Sequence, residues 1–233
     1  MVEIGAGLGS LTVALAAAGC RVLAVETDRR LVSALTEVVS TSPHVRVVEV
    51  DAMRADWEAL LDPGDGWATV SNLPYNISVP LLLDLLERVP AIERYLVMVQ
   101  KEVGERLVAS AGDDAYGSVS VRVAYRADAA LVRRVPADVF WPRPKVGSVL
   151  VRFVPHPPRV ATDPSTLFRV VEEGFAERRK TMANALRRLG LDAGTSADVI
   201  QASGFDARTR AERLALEDFA RITEALLEMG WSP

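Results

Sequence analysis

Short runs rich in β-branched residues alternate with helical patterns along the first hundred residues, and this alternation constrains the fold more than any other feature. Strands that are joined through a helix pair in parallel, and the helix covers one face of their sheet. The sequence therefore predicts an α/β domain built on a parallel sheet. The predicted strands cover residues 3–4, 21–26, 45–50, 67–71 and 95–100, and the clearest helices cover residues 8–18, 28–40 and 77–88.

The pattern changes after residue 100. A helix is predicted first, and the segment 116–125 that follows is compatible with either a helix or a strand. Two further strands, at 129–135 and 148–154, are expected to form an antiparallel edge of the sheet. Pro155-His156-Pro157-Pro158 is typical of a linker, and every pattern beyond it is helical. The predicted domains are therefore an α/β domain at 1–155 and a small helical domain at 156–233.

Composition excludes several classes of protein. With 49% hydrophobic and 25% charged residues the chain is an ordinary globular protein, and no apolar run reaches the roughly 18 residues of a membrane-spanning helix. Cys20 is the only cysteine, and His44 and His156 are far apart, so no intrachain disulfide, zinc cluster or cysteine–histidine catalytic pair is expected. A cytoplasmic protein fits this composition. The net charge of −4 means that nucleic-acid binding would depend on local basic clusters, at 178–180 and 187–188.

Residues suited to ligand binding follow each of the first four predicted strands. They are the turn Gly5-Ala6-Gly7-Leu8-Gly9, then Glu26, then Asp51, and then Asn72. In open α/β sheets ligands bind beyond the carboxyl ends of the strands, so we expect these residues to line one cleft. Each has a plainer explanation when taken singly, because tight turns need glycine, acids cap helices and Glu3 suits a buried network. Their order along the chain favours a nucleoside site.

The spacing of this set indicates the kind of nucleoside. Glu26 lies 19 residues after Gly7, close to the ~20 expected for an acid that holds ribose hydroxyls. Ser10 stands where a dinucleotide site has the third glycine of Gly-x-Gly-x-x-Gly, so a pyrophosphate is not indicated. A sulfonium nucleoside has no phosphate and needs the glycines only so that the backbone can approach it closely.

The run Asn72-Leu73-Pro74-Tyr75 is the most specific signal. An adenine amine is a poor nucleophile because its lone pair is delocalised into the ring. The Asn72 side-chain oxygen, together with a backbone carbonyl near Leu73 or Pro74, can accept hydrogen bonds from the amine and favour a tetrahedral nitrogen. Proline stiffens the turn, and Tyr75 offers a face on which a flipped base can stack. The alternative is a plain asparagine–proline-type turn with a core tyrosine.

A second unusual stretch is the loop Phe140-Trp141-Pro142-Arg143-Pro144-Lys145-Val146. Its alternating prolines predict a rigid, extended loop that presents an aromatic side chain. Phe140 is the candidate for the other wall of the base pocket. A strand-entry loop with a core aromatic is the alternative.

These motifs resemble the ribosomal RNA adenine dimethyltransferases, which include the bacterial KsgA (RsmA) enzymes and their eukaryotic relatives. The resemblance covers essentially the whole chain. It is carried by Glu3-Ile4-Gly5-x-Gly7, Glu26-x-Asp28, Asp51-Ala52-Met53, Asn72-Leu73-Pro74-Tyr75-Asn76-Ile77-Ser78, Gln100-Lys101-Glu102-Val103 with Arg106-Leu107, Tyr116-Gly117-Ser118, Phe140-x-Pro142-x-Pro144-Lys145-Val146 with Ser148, and Arg178-Arg179-Lys180-Thr181.

The resemblance implies a Rossmann-like, S-adenosylmethionine-dependent methyltransferase domain followed by a small helical RNA-binding domain. It implies dimethylation of N6 on two adjacent adenosines near the 3′ end of 16S ribosomal RNA, in the 30S subunit or its precursor. We expect a monomer with no metal and no membrane partner. The cofactor would be bound by Glu3, Gly5, Gly7, Glu26, Asp51, Ala52 and Asn72, with Glu26 on the ribose hydroxyls and Asp51 on the adenine amine. The target base would be served by Asn72, Leu73, Pro74, Tyr75 and Phe140, and RNA would be contacted by Arg143, Lys145, Arg178, Arg179, Lys180, Arg187 and Arg188.

Two departures from the family pattern bear on activity. Ala6 replaces the proline that is usual between the glycines, which is expected to cost only rigidity. The basic amino-terminal segment of the family, with its Phe-Gly-Gln-Asn-Phe-Leu motif, has no counterpart in this sequence. This form is therefore expected to bind the cofactor weakly and to methylate poorly.

The segment from 171 to 189 reads as one amphipathic helix. Val171, Phe175, Met182, Leu186 and Leu189 share one stripe, whereas the opposite side carries Lys180, Asn184 and Arg187, with Arg188 flanking. A basic ridge opposite the core suits phosphate contact. An ordinary solvated face is the alternative.

Three other functions are compatible with parts of the sequence. A methyltransferase of the macrolide-resistance type would apply the same chemistry to large-subunit RNA. A non-catalytic ribosome-assembly factor would keep the fold and bind RNA alone. A DNA adenine methyltransferase is disfavoured because no target-recognition domain is visible. The Asn72–Ser78 run and the Pro-x-Pro-Lys loop favour the small-subunit enzyme.

Overall fold

The computed structural model describes residues 1–62, 64 and 66–232. Contacts divide the chain into two compact units, one formed by 1–104 with 127–155 and the other by 105–126 with 156–233. The predicted boundary at 155/156 is one of the junctions between the units. The sequence interpretation differs from the structure at 105–126, which it assigned to the α/β domain.

The first unit is built on a seven-stranded sheet in the order β3-β2-β1-β4-β5-β7-β6. Its strands are β1 (Val2–Ile4), β2 (Val22–Glu26), β3 (Val45–Glu49), β4 (Trp67–Asn72), β5 (Ile92–Gln100), β6 (Ala127–Val135) and β7 (Ser148–Pro155). The first five strands are mutually parallel, whereas β7 is antiparallel to β5 and β6 is antiparallel to β7. The predicted α/β class and antiparallel edge are therefore confirmed.

Helices of the first unit connect the parallel strands. They are α1 (Ser10–Ala17), α2 (Arg29–Val38), α3 (Trp57–Leu60) and α4 (Ser78–Arg88), and α5 (Lys101–Val108) begins in this unit and ends in the other. Asp28 caps α2 as predicted, because its side chain accepts a hydrogen bond from Arg30 N. Pro80 lies in the first turn of α4, where its missing N–H costs nothing.

Strand β1 is only three residues long, and buried hydroxyls of β4 hold it in place. Thr69 Oγ1 donates to the carbonyl of Val2 at 3.0 Å, and the N–H of Ile4 donates to Ser71 Oγ at 2.8 Å. Both contacts are buried, so each is shielded from competing water. The carboxyl end of β1 is thereby fixed beside the carboxyl end of β4.

The second unit is helical. It contains α6 (Ser118–Arg126), α7 (Pro164–Ala176), α8 (Met182–Arg187), α9 (Ala193–Ala202) and α10 (Leu216–Glu228). The segment 116–125, whose sequence is compatible with either a helix or a strand, is mostly helix. Val121 and Tyr125 are buried in one apolar cluster with α7 and α10. Tyr116 Oη donates to the carbonyl of Leu214 at 2.8 Å. These contacts explain why 105–126 belongs to this unit.

The prediction of one continuous helix over 171–189 is wrong. Helix α7 ends at Ala176 and α8 begins at Met182, with Thr181 as its N-cap accepting from Asn184 N. The N–H of Met182 is diverted to the carbonyl of Thr209 at 2.7 Å, so it cannot continue the preceding helix. The predicted apolar stripe still faces the core on both sides of the break between α7 and α8. Its buried members are Val171, Met182, Leu186 and Leu189, and Phe175 is partly buried. In the described part of the chain, no helix is long and apolar enough to cross a membrane.

Candidate functional site

The four strand ends singled out in the sequence lie at one edge of the sheet. Strands β3, β2, β1 and β4 are parallel neighbours in that order, so Asp51, Glu26, Gly5 and Asn72 stand side by side at their carboxyl ends. Backbone hydrogen bonds connect the ends, with Val50 N donating to the carbonyl of Glu26 at 3.0 Å. The predicted arrangement is confirmed, whereas the role of each residue remains a prediction.

The glycine turn after β1 has a backbone that side chains would obstruct. Gly5 has φ +73°, and a Cβ there would lie 3.3 Å from Cδ of Pro74. Gly9 has φ +88°, and a Cβ there would meet Leu35 Cδ1 at 2.6 Å. The turn therefore packs tightly between Pro74 and α2. It presents bare backbone to the space beyond the sheet.

Glu26 is almost fully buried and binds backbone N–H groups. Its Oε2 accepts from Gly7 N at 2.9 Å, and its Oε1 accepts from Thr27 N at 2.8 Å and Asp28 N at 3.0 Å. A carboxylate offers about four acceptor positions, so about one remains for a ligand, on Oε2. The carboxylate therefore holds the glycine turn in place and keeps capacity for a single hydroxyl.

Asp51 is more accessible than Glu26, with 49% of its side chain exposed. Its Oδ1 accepts from Met53 N at 3.0 Å, which fixes the carboxylate at the start of a turn. Oδ2 lies 3.9 Å from Arg54 Nε, a weak and exposed ion pair. The neighbouring Ala52 is buried. Asp51 thus offers an oriented, solvent-accessible acceptor.

Glu3 is a buried acid two residues before Gly5. Only 2% of the residue is exposed, and Oε2 has no hydrogen-bond partner among the described residues. Burial raises the pKa of the Glu3 carboxyl to about 7, against a smaller lowering by the adjacent Thr12. The group is therefore poised to change charge near neutral pH.

A cavity of about 300 Å³ opens at the end of β4. It is lined by Asn72, Leu73, Pro74, Tyr75, Phe140, Trp141, Pro142 and Pro144. The turn at 72–75 and the side chain of Phe140, both predicted from the sequence to serve the target base, therefore line the same cavity. The exposed Asn72 and partly buried Tyr75 and Phe140 give this space a polar end and aromatic walls.

The turn that bears Asn72 is held on both sides. Leu73 N donates to the carbonyl of Met98 at 3.2 Å, and Ile77 N donates to the carbonyl of Pro74 at 3.2 Å. Tyr75 Oη shares a 2.8 Å hydrogen bond with Ser148 Oγ of β7. Ser78 Oγ also donates to the carbonyl of Tyr75 at 3.2 Å, so the tyrosine is anchored at both its backbone and its hydroxyl and its ring is held in the cavity wall.

The sequence assigns no role to Trp141, and it marks Ser148 only as part of the motif that follows Phe140. Ser148 lies 73 residues from Tyr75, so its hydrogen bond to that tyrosine cannot be inferred from sequence. Trp141 carried a visible signal, because it follows Phe140 in a proline-bounded loop. No pattern in the loop distinguishes which of the two adjacent aromatic residues is covered.

The predicted RNA-contact residues of the second unit fall into two groups. Arg188 is paired with Glu173 at 2.7 Å and Glu177 at 3.1 Å, and Arg178 donates to the carbonyl of Asp114 at 2.9 Å. Lys180 and Arg187 are exposed to solvent. They lie in the lining of a cavity of about 340 Å³, which is formed by Glu177, Lys180, Asn184, Arg187, Arg188 and Leu191. Lys180 and Arg187 are therefore the better placed cations for phosphate contact. Arg179 is exposed, as are Arg143 and Lys145 in the first unit.

No cluster of three or more histidine, cysteine or acidic side chains suited to a metal ion occurs among the described residues. What the edge of the sheet offers is instead a bare glycine turn, two oriented carboxylates, a buried acid and a polar turn facing aromatic walls. Such an arrangement can hold a nucleoside beside a second, flat base.

Comparison with known proteins gives a consistent result. The family model described as ribosomal RNA adenine dimethylase matches residues 1–228. The chain is 40% identical over 236 residues to the ribosomal RNA small subunit methyltransferase A of Moorella thermoacetica, covering 97% of this chain and 82% of that protein. It is 44% identical over 231 residues to the protein of the same name from Thermobifida fusca, covering 96% and 79%.

Two solved structures are similar along nearly the whole chain. A dimethyladenosine transferase from Plasmodium falciparum has a TM-score of 0.81 and 25% identity, covering 98% of this chain and 90% of that one. The 23S rRNA methyltransferase ErmE has a TM-score of 0.69 and 24% identity, covering 97% and 89%, which is a likeness of fold. The seven-stranded sheet is thus of the Rossmann-like methyltransferase type.

Proposed function

The chain belongs to the ribosomal RNA adenine dimethylase family, and we propose that it dimethylates N6 of two adjacent adenosines near the 3′ end of 16S ribosomal RNA. Relatives with about 40% identity are small-subunit methyltransferases, which supports the choice of subunit. The observation that carries the proposal is the cavity shared by the Asn72–Tyr75 turn and Phe140, at the sheet edge that also bears Gly5, Glu26 and Asp51.

The methyl donor of this reaction is S-adenosylmethionine, and the residues at the sheet edge fit it. The bare turn at Gly5 and Gly7 admits a ligand close to the backbone. Oε2 of Glu26 has room for one ribose hydroxyl, and Asp51 offers an accessible acceptor for the adenine amine. Ala52 and Glu3 complete the proposed set, with Glu3 supplying negative charge near a cationic ligand once it is ionised. When bound, the donor supplies an electrophilic methyl group on a cationic sulfur.

Asn72 is the residue that we assign to the reacting amine. Its side-chain oxygen accepts a hydrogen bond from the amine, and the Leu73 or Pro74 carbonyl accepts a second. With both N–H groups held, the amine nitrogen is favoured in a tetrahedral form whose lone pair is available for methylation. The donor, when bound, would supply the methyl group that the amine accepts, and the amine would give up a proton. No strong base is required, so positioning supplies most of the rate.

The aromatic walls select the substrate. A flipped adenine stacks on Tyr75, whose ring is fixed by the 2.8 Å bond to Ser148, and on Phe140 opposite. The hydrogen bonds within the turn hold Leu73 and Pro74 while the base enters. A planar base is therefore favoured over other amines.

The partner is the 16S ribosomal RNA of the 30S subunit or its precursor, which places the activity in the cytoplasm. We propose that the protein acts as a monomer and that Lys180 and Arg187, with Arg178, Arg179 and Arg188 nearby in sequence, contact phosphates. Arg143 and Lys145 serve the same purpose beside the target cavity.

The test is transfer of tritiated methyl groups to 30S particles prepared from cells that lack this modification. We expect up to four methyl groups per particle, two on each adenosine, and a loss of transfer in Asn72→Ala with the fold retained. Normal binding to 30S without methylation would instead identify a non-catalytic assembly factor. Labelling of 50S but not 30S particles would identify large-subunit specificity.

A further inference from the structure

Trp141 is the most conspicuous residue that the proposed reaction leaves unused. The residue is 98% exposed, although tryptophan is normally among the most covered residues in a folded protein. It also lines the cavity that holds Asn72 and Phe140. A large aromatic surface thus stands uncovered at the mouth of the target-base cavity.

The loop around Trp141 is built to keep this ring in the open. Pro142 and Pro144 remove two backbone N–H groups and restrict the chain to extended conformations. The loop joins β6 and β7, whose antiparallel pairing runs from Ala127↔Pro155 to Val135↔Ser148. The paired strands β6 and β7 therefore hold both ends of the loop that carries the Trp141 ring.

The charge of the same hairpin identifies the chemistry of what binds there. Between residues 133 and 147 it carries four exposed basic side chains, Arg133, Arg134, Arg143 and Lys145, against one acid, Asp138. This local excess of positive charge stands in a chain with a net charge of −4. An exposed aromatic flanked by cations is the combination that binds single-stranded nucleic acid, because bases stack on the ring and phosphates pair with the cations.

We propose that Trp141 is a stacking platform for the base of the nucleotide adjacent to the target adenosine. This inference rests on the proposed function, which places one flipped adenine between Tyr75 and Phe140. The next nucleotide then leaves the cavity at its mouth, where Trp141 stands. Because the substrate has two adjacent adenosines, one is held on Trp141 while the other reacts.

Binding of short RNA with and without the neighbouring base tests the proposal. The first probe is a uridine-rich, single-stranded decanucleotide with two adjacent adenosines. The second has one adenosine, and the nucleotides on both sides of it lack a base. For the first probe we expect Trp141→Ala to weaken binding roughly 5- to 150-fold, the range found for removal of a base–aromatic stack. For the second probe the wild type and Trp141→Ala should bind equally.

Intrinsic fluorescence supplies an independent signal. Trp57 is buried and Trp67 and Trp231 are partly buried, so the exposed Trp141 should account for most of the quenching by RNA. Trp141→Phe should lose that quenching while keeping most of the affinity. Arg143→Ala is the matched control, since a phosphate contact should weaken both probes alike.

Two results would overturn the proposal. One is an equal effect of Trp141→Ala on both probes, and the other is no Trp141-dependent quenching at any RNA concentration up to millimolar. Urea unfolding of Trp141→Ala checks that the exposed substitution leaves stability unchanged. If the wild type fails to methylate 30S particles, the proposed function fails while the stacking measurement still stands. If the wild type methylates 30S particles but Trp141→Ala has the same effect on the affinity for both probes, the proposed function stands and only the stacking role of Trp141 is rejected.

Discussion

Replacing Glu3 by glutamine should remove a specific pH dependence of stability. The carboxyl of Glu3 is buried, and this burial raises its pKa to about 7 from an ordinary value of 4.5. Between these two values the folded protein keeps the proton while the unfolded chain releases it. The unfolding free energy therefore falls as the pH rises from about 4.5 to 7, and it stays low above 7.

The size of the effect follows from the two pKa values. The difference between 7 and 4.5, at about 1.4 kcal/mol per pH unit, gives at most about 3 kcal/mol. About 2 kcal/mol of this should appear between pH 5 and pH 8, because the unfolded carboxyl is already largely ionised at pH 5. Glutamine has nearly the same shape and cannot ionise, so the variant should lack this loss.

Urea unfolding at pH 5, 6, 7 and 8, followed by far-ultraviolet circular dichroism, measures the difference. The stability of Glu3→Gln minus that of the wild type should increase by about 2 kcal/mol across this range. Glu37→Gln, an exposed substitution on α2, is the matched control and should show a constant difference. A constant difference for Glu3→Gln as well would refute the assignment of a buried, neutral carboxyl.

Three further predictions concern the site. Asn72→Ala should lower the rate of methyl transfer to 30S particles by roughly 100-fold or more while leaving particle binding intact, as measured by single-turnover kinetics and sedimentation. Gly5→Ala should cost about 1–2 kcal/mol in urea unfolding, because alanine is strained at φ +73° and its Cβ would press on Pro74, and calorimetry should show weaker donor binding. Lys180→Ala combined with Arg187→Ala should weaken 30S binding and reduce the slope of log affinity against log salt by about 2, and an unchanged slope would exclude these phosphate contacts.

The edge-of-sheet site could be predicted from sequence because its parts follow from chain topology. Once strands are joined through helices they must be parallel, and the residue after each strand must then lie at the same edge. Gly5, Glu26, Asp51 and Asn72 were found in this way, without any knowledge of side-chain contacts. Chain topology does not predict that the Glu26 carboxylate accepts three hydrogen bonds from backbone N–H groups, because such bonds depend on local backbone geometry.

The two predictions that differ from the structure fail for the same reason, which is that contacts with residues distant in sequence override the local pattern. The stretch 171–189 keeps a helical period throughout, yet Thr181 caps a new helix and Thr209 takes the N–H of Met182. The segment 105–126 is adjacent in sequence to the sheet but buries Tyr116, Val121 and Tyr125 among the helices of the second unit. In both cases periodicity indicated the local structure, and distant partners decided where it ends and what it packs against.

The bonds of Glu26 change how a mutation of that residue should be understood. Its Oε2 accepts a hydrogen bond from the N–H of Gly7, so the carboxylate positions the glycine turn in addition to its proposed role as an acceptor for a ribose hydroxyl. Gly5 of the same turn lies against Pro74, and Pro74 belongs to the turn that bears Asn72. Loss of the Glu26 carboxylate would therefore loosen a chain of contacts that runs from the proposed donor site to the proposed target cavity. Its effect on methyl transfer should exceed the loss of one ribose hydrogen bond, because the same contacts join the glycine turn to the turn that bears Asn72.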